Sequence, residues 1–580
     1  MTVDIEDLIT AKDGAEYGRM DTTSVVRVGM KKKKQDLSPS SSCRRDDDGN
    51  AGVPGTASVW VKTFGCSHNS SDSEYMAGQL EQYGYRIAED SREADLWLVN
   101  TCTVKNPSEV AMVNIVNKGR RVGKPMVVAG CVPQGDKKIK ALEGISLLGV
   151  SQIDRVVEAV EETLQGNTVQ LLSKKSLPRL DLPKVRKNKH IEIIPLSTGC
   201  LGSCTYCKTK HARGELGSYD PEAIVGRART AAEDPDVREI WLSSEDTGAY
   251  GRDLGIKLPY LLRRIVAVLP KDGRTRLRVG MSNPPFMLDT LDEIAEVLNH
   301  PLVFSYLHIP VQSGSNSVLG GMNREYTVEE FRKCADTLLS LVPDLELATD
   351  IICGFPGETE EDHQETMRLV EDYAFPHCHI SQFYPRPGTP AARMKRVPTQ
   401  IVKARTRQVS ALVDSFTDVY KSLEGTVQYV SIVEKAADRV RLVGHTETYA
   451  QILIDGPESL IGQMALVKIT KATRWSAFGM LLDEPLGRDI TGGVQLSEGQ
   501  SSAPPSESKE QARGASSVVG DAAPGRNSTW SSSLYAFGQD TLLALTTTLQ
   551  NFDSVDACLY LGLGLGVAGI AWSSFANKKA

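Results

Sequence analysis

Three cysteines, Cys200, Cys204 and Cys207, stand in the spacing CxxxCxxC directly after the apolar run Ile191–Leu196. Three thiolates fall one short of the four-ligand cage that a structural zinc ion takes. They suffice for a cubane [4Fe–4S] cluster held by three irons, with the fourth iron open to a small chelating molecule. With a cofactor of that kind, the protein's work is to bind, orient and shield it. The rival is a zinc knuckle completed by His211, four residues beyond Cys207 on a Lys/Arg-rich stretch. The spacing favours the cluster.

A second set of cysteines is spread widely along the chain. Val59–Phe64, Leu96–Asn100 and Met126–Ala129 read as buried strands, and each ends close to a cysteine: Cys66, Cys102 and Cys131. Helix-like stretches such as Asp72–Tyr83 and Ser108–Arg120 follow them, and such alternation implies a parallel sheet. Ligands of open parallel sheets gather at the carboxyl ends of the strands. The three thiols are therefore expected on one rim, as a second metal or cluster site. Three unrelated core cysteines are the alternative, weakened by polar and glycine neighbours such as Gly65, Ser67, Asn100 and Gly130. Cys43, Cys334, Cys353, Cys378 and Cys558 read as packing or tail residues.

The elements that must carry the first cysteine loop run from 190 to about 420. Six apolar strands alternate there with helical patterns: Ile191–Leu196, Glu239–Leu242, Arg276–Gly280, Val303–Ile309, Leu345–Ile352 and His379–Phe383. Each runs into a polar or Gly/Pro motif, which predicts an open, partial α/β barrel with its site at the strand C-termini. From 422 to 485 short strands with Gly/Asp turns predict a small β-barrel. Lys468, Lys471, Arg474 and Trp475 there read either as an RNA face or as ordinary surface. Residues 56–175 form the first domain, and 174–190 form a basic, proline-broken connector that could follow phosphates.

Residues 1–55 and 487–550 have the composition of a disordered tail and tether. The run 557–576 carries no charge and is long enough to span a bilayer, with Tyr560 and Trp572 near its ends. The formal net charge of −7 does not exclude nucleic acid, because local basic patches decide that. The eleven cysteines are not spaced as a secreted disulfide framework, which suggests a reducing compartment. The N-terminus has no signal-peptide pattern.

Together the motifs resemble the methylthiotransferase family of radical S-adenosylmethionine (SAM) enzymes over about residues 56–485, some three quarters of the chain. The matching runs are Phe64–Asn69, Asn100–Val104, Gly130–Gln134 and the CxxxCxxC loop. Thr205–Arg213 and Ser243–Gly251 are similar to the eukaryotic and archaeal branch, which acts on N6-threonylcarbamoyladenosine in tRNA. The bacterial isopentenyladenosine branch would carry Gln-Asn in place of Glu245-Asp246. The resemblance implies an N-terminal cluster domain, a radical SAM domain as a partial (β/α)6 barrel, a TRAM barrel that binds RNA, and a C-terminal transmembrane helix.

It further implies two [4Fe–4S] clusters, an auxiliary one on Cys66, Cys102 and Cys131 and the SAM cluster on Cys200, Cys204 and Cys207. SAM and a tRNA substrate follow, and an electron donor (reductase or flavoprotein) is required whose identity the sequence does not show. Ser244, Glu245, Gln312, Ser313, Gly354, Pro356 and Gly357 are the expected SAM-pocket residues. The tail resembles that of animal members of the branch, which implies the endoplasmic reticulum membrane with the catalytic domains in the cytosol. The N-terminal and post-barrel tails carry no family motif. Two alternatives remain: a methylthiotransferase acting on a protein side chain, and a non-catalytic membrane-tethered RNA-binding scaffold. A chain ending near Gly425 is expected to keep both clusters and lose tRNA affinity.

Overall fold

The computed structural model describes residues 55–482, except 104–105, 137–138 and 174–176. Residues 1–54, the expected tether and the apolar span 557–576 lie outside the described residues. Among the described residues no helix is long and apolar enough to cross a membrane.

The first domain is a six-stranded sheet in the order β2-β1-β3-β4-β5-β6. Its strands are β1 Ser58–Thr63, β2 Arg86–Ala88, β3 Leu96–Thr101, β4 Met126–Gly130, β5 Ser146–Leu148 and β6 Gln170–Leu171. Every pairing in it is parallel. The central strands β3 and β4 are buried throughout, as a sheet covered on both faces requires. The sequence pattern shows β1, β3 and β4 but not the other three, which are only two or three residues long.

The second domain opens with β7 Ile191–Pro195, then a short ribbon of β8 Ser197–Thr198 and β9 Gly217–Ser218 that brackets the cysteine loop. Five more parallel strands follow: β10 Glu239–Ser243, β11 Arg276–Arg278, β12 Tyr306–His308, β13 Glu346–Cys353 and β14 His377–Gln382. They form two three-stranded sheets, β11-β10-β7 and β12-β13-β14, joined by a parallel bridge between Leu277 and Val303. The result is a partial barrel with β7 and β14 at its edges. The helix Ser67–Tyr83 of the first domain lies along β7, and Ser71 donates a hydrogen bond to the Ile193 carbonyl at 3.2 Å. One apolar core runs through both domains, from Val59 and Leu98 to Ile194 and Leu242.

The third domain is a closed barrel in the order β15-β16-β17-β19-β18. Its strands are β15 Val427–Lys435, β16 Leu442–His445, β17 Gln451–Ile454, β18 Met464–Ala472 and β19 Ala477–Leu481. It is not an appended module. The turn between β16 and β17 is inserted into the N-terminal end of the partial barrel. His445 pairs with Glu239 at 2.8 Å, Glu447 with Arg276 at 2.6 Å, and Thr448 donates to Glu346 at 3.1 Å. Glu239, Arg276 and Glu346 are the first residues of β10, β11 and β13. Tyr449 packs its ring on Phe304, Tyr306 and Trp241. A chain ending near Gly425 therefore lacks the residues that floor the partial barrel.

The basic connector also differs from its sequence reading. Lys184 is wholly buried between Glu74 at 3.1 Å and Glu192 at 3.0 Å, and Arg186 pairs with Asp234. A buried cation is tolerated only when paired, and these two are unavailable to phosphates. Arg474 is likewise buried, donating to the carbonyls of Val413, Pro376 and Phe375 at 2.7–3.0 Å and stacking on Trp475. It ties the barrels together and is not part of an RNA face.

Candidate active site: two cysteine triads at the strand C-termini

The sheet delivers Cys66, Cys102 and Cys131 to one rim. Cys66 caps the helix Ser67–Tyr83, Cys102 follows β3, and Cys131 opens the short helix Cys131–Gly135 after β4. Gly65 lets them close up: a Cβ there would stand 2.3 Å from the Cys102 Cβ and 2.8 Å from its Sγ, and its φ of 109° suits only glycine. Asn69 sits among the thiols. Its amide donates to the carbonyls of Phe64 and Thr101, so its Oδ1 is left facing the Cys66 Sγ at 3.7 Å and the Cys131 Sγ at 3.8 Å. Burial pushes the Cys131 thiol up to about 11, so loading a metal group must displace its proton.

A guanidinium from the other domain reaches this rim. Arg213, at the end of the helix Thr209–Arg213, donates from Nε to the Cys131 Sγ at 3.3 Å and from Nη2 to Asn69 Oδ1 at 3.1 Å and Asp72 Oδ2 at 2.6 Å. Glu245 Oε1 lies 3.0 Å from its Nε and 3.2 Å from His68 Nδ1. Burial pushes Glu245 up to about 8 against the pull of Arg213, and burial together with Arg213 holds His68 well below the usual imidazole range.

The second triad sits on one loop. Cys204 Sγ accepts from Arg324 Nη1 at 3.2 Å, and Cys207 Sγ from the Thr209 backbone amide at 3.4 Å. Arg324 is held in turn by Tyr326 and Asn283. Between the cysteines, Tyr206 is buried against Phe355, which packs on Phe383. Burial, with Asp246 nearby, pushes the Cys200 thiol up to about 12. Asp246 is itself pushed to about 6 by burial, while Asn283 and the Gly248 amide pull it back.

Both donor sets are all sulfur, the ligand type that iron–sulfur clusters take. Each is backed by a hydrogen-bonding cation, as outer-shell partners of metal ligands commonly are. Among the described residues no group of three or more His, Cys, Asp or Glu is placed to hold a single metal ion. His211 is exposed, so the zinc knuckle gains no fourth ligand from it.

Comparison with known proteins agrees with this geometry. The Radical SAM superfamily matches residues 194–370, the Uncharacterized protein family UPF0004 residues 58–148, and the TRAM domain residues 421–482. The threonylcarbamoyladenosine tRNA methylthiotransferase of Drosophila melanogaster is 51% identical over 83% of this chain and 88% of its own length. The Homo sapiens protein of that name is 48% identical over 80% and 81%. A probable one from Pyrococcus abyssi (strain GE5 / Orsay) is 41% identical over 60% and 82%. The chain belongs to the threonylcarbamoyladenosine tRNA methylthiotransferase family.

Within a methylthiotransferase of this family, the expected SAM-pocket residues fall into different surroundings. Glu245 is turned toward Arg213 and His68, on the side of the first triad. Ser244 accepts the Asp246 amide at 3.0 Å and shapes that turn. Gln312 is buried in the left-handed region with φ 71°, a strained state for a non-glycine residue, and its Nε2 lies 3.4 Å from Asp350 Oδ2. Ser313 Oγ is hydrogen-bonded to Thr366 Oγ1 at 3.2 Å. In the Gly354–Gly357 loop, Gly354 donates to Glu358 at 2.9 Å and a Cβ on it would strike Val402 at 2.4 Å. Pro356 is buried and Gly357 exposed. This loop positions Phe355 under the cysteine loop.

Sequence reasoning missed Arg213 and Arg324, whose sulfur contacts are tertiary. His308, Asp350 and His379 stand together on adjacent strands of the barrel. His308 Nε2 is 3.2 Å from Asp350 Oδ1, and the two imidazoles are 5.6 Å apart. Alternation along β12, β13 and β14 was the available signal.

Proposed function

We propose that this protein converts N6-threonylcarbamoyladenosine, 3′-adjacent to the anticodon of tRNA, to its 2-methylthio derivative. Cys200, Cys204 and Cys207 hold the [4Fe–4S] cluster that binds SAM, and Cys66, Cys102 and Cys131 hold the auxiliary [4Fe–4S] cluster. The observation that carries the reading is that each thiol triad stands at strand C-termini of a parallel sheet, with Arg213 of one domain bonded to Cys131 of the other. When bound, these groups supply a carbon radical able to remove hydrogen from adenine C2, which has no acidic proton, together with the sulfur and methyl that replace it. The chain's own residues keep the site dry and fixed. The edge-to-face contacts of Tyr206 with Phe355 and of Phe355 with Phe383 support the cysteine loop. Asp72 and Glu245 hold the buried Arg213 in place, at 2.6 Å and 3.0 Å.

Nucleoside mass spectrometry of tRNA from cells with and without the protein is the test. Loss of the 2-methylthio nucleoside with accumulation of its precursor is expected. An unchanged tRNA profile, with a modified protein side chain instead, would refute it.

The same proposal includes the apolar run 557–576 as a tail anchor in the endoplasmic reticulum membrane, with the catalytic domains in the cytosol. No charge falls between Asp556 and Lys578, and about 20 apolar residues span a bilayer. Deleting residues after 550 should release the protein from the membrane fraction while tRNA modification continues. Full-length protein found soluble would remove this part.

A further inference from the structure

A tRNA substrate must rest its backbone somewhere near the cysteine loop, and several of the cations suggested by sequence are not available for it. Arg474, Lys184 and Arg186 are engaged inside the protein. Lys468 and Lys471 are exposed on the small barrel. That barrel docks at the N-terminal ends of the strands, the end opposite the cysteines.

A different segment stands at the right end. From Tyr373 to Val413 the chain has no Asp or Glu and seven Lys or Arg, in a protein whose net charge is −7. Arg405 is bound to Glu358 and Glu360. Arg386 donates to the Tyr206 carbonyl at 3.0 Å. The other five, Arg393, Lys395, Arg396, Lys403 and Arg407, are exposed.

The segment is pinned to the cysteine loop itself. Besides the Arg386 contact, the Ala391 amide donates to the Thr205 carbonyl at 3.0 Å. Thr205 and Tyr206 are the two residues between Cys204 and Cys207. Arg393 follows Ala391 by two residues, which places its Cα within about 8 Å of that anchor. Lys403 and Arg407 lie one turn apart on the exposed face of the helix Thr399–Asp414, whose other face buries Val402, Val409 and Val413. Tyr384, just past β14, is 41% exposed and offers a ring on which a base can stack.

We propose that Arg393, Lys395, Arg396, Lys403 and Arg407, with Tyr384, form a ledge at the barrel mouth that holds the phosphates of the tRNA anticodon arm. The inference rests on the proposed activity and adds to it the surface that delivers the substrate. Phosphate contacts of this kind set position and register without reading sequence. An acid-free cationic strip on an acidic chain is the footprint such binding leaves.

The test uses the full-length protein. R393E/K395E/R396E and K403E/R407E are compared with wild type for binding to a threonylcarbamoyladenosine-containing anticodon stem–loop RNA over a range of salt. Iron content per chain serves as the check on folding. R393A/K395A/R396A runs in parallel, so a folding defect in the charge-reversed protein does not remove the test. Each variant should lose roughly tenfold or more in affinity at low salt, and the log–log salt slope should shrink by about one per lost phosphate contact. Unchanged affinity and slope in iron-replete variants would overturn the ledge alone. So would a loss of binding to phosphatidylserine vesicles with RNA binding intact, which would assign the strip to a membrane. Wild-type protein that fails to bind the RNA would sink the activity reading as well.

Discussion

The two cysteine triads, proposed above to hold the SAM cluster and the auxiliary cluster, are built in opposite ways. The SAM triad is local, eight residues of one loop from Cys200 to Cys207, steadied from beneath by Phe355. The auxiliary triad is assembled from three strand ends that only the sheet order brings together. Each has an arginine donating to a cysteine sulfur, but the arginines differ in their company. Arg324 is held by neutral partners, Asn283 and Tyr326. Arg213 crosses from the barrel domain and meets two buried carboxylates, Asp72 and Glu245. Charge and hydrogen bonds at the sulfurs set a cluster's potential. At the barrel site the buried carboxyl of Asp246, near Cys200 and bonded to Asn283, stands against the charge of Arg324. Arg213 ties the first triad to the barrel domain through Cys131 and Asp72.

The comparison breaks most visibly if the triads are removed one at a time. Wild type reconstituted without oxygen should carry about eight irons, and each triple Ala variant about four. The triple at 200, 204 and 207 should abolish SAM cleavage, whereas the triple at 66, 102 and 131 should retain it. Stoichiometric zinc in either variant would contradict the assignment.

Truncation at Gly425 should come next. It removes Tyr449, Glu447 and His445 from the barrel floor, so the protein is expected to lose cooperative unfolding and the SAM-cluster iron. Retention of full iron and a sharp thermal transition would show the small barrel to be separable after all.

Substituting the arginines sharpens the contrast in charge. Arg213→Met leaves Asp72 and Glu245 buried without their cation, and removing one partner of a buried pair costs about 3–5 kcal/mol. Auxiliary iron should be lost first. Arg324→Met removes hydrogen bonds from neutral partners, at about 1–3 kcal/mol, and should affect only the SAM-cluster spectrum. Equal losses measured by denaturant unfolding would erase the distinction.

The smallest effect is on pH. Burial lowers the His445 pKa, but Glu239 at 2.8 Å more than offsets this and holds it above the ordinary imidazole value, with Glu434 adding to the pull and Arg278 opposing it. A raised folded-state pKa gives stability that is complete below about pH 6.5 and disappears as pH rises through the folded value. The thermal advantage of wild type over His445→Gln should therefore be larger at pH 6 than at pH 9. A difference independent of pH would contradict it.

These contrasts also explain what the sequence disclosed. The local triad is legible from spacing alone, and the dispersed triad from strands that each end near a cysteine. Neither arginine is legible, because Arg213 and Arg324 act through contacts with residues 82 and 120 positions away. Glu245 was placed at the correct strand end, but alternation does not say which of two domains a residue at the rim will face. Lys184 and Arg474 look like surface cations in one dimension and are buried ties in three. The strip from 373 to 413 was readable all along as a stretch without acids. Its position became informative only once Ala391 was seen bonded to the cysteine loop.

The most direct test of the two-triad account is a single-turnover reaction without oxygen, using reconstituted full-length protein, SAM, reductant and the modified anticodon stem–loop. Wild type should yield both 5′-deoxyadenosine and the 2-methylthio nucleoside by mass spectrometry. Cys102→Ala should still yield 5′-deoxyadenosine and no methylthio product. Methylthio product from Cys102→Ala, or loss of both products while the barrel iron remains, would contradict the division of labour between the triads.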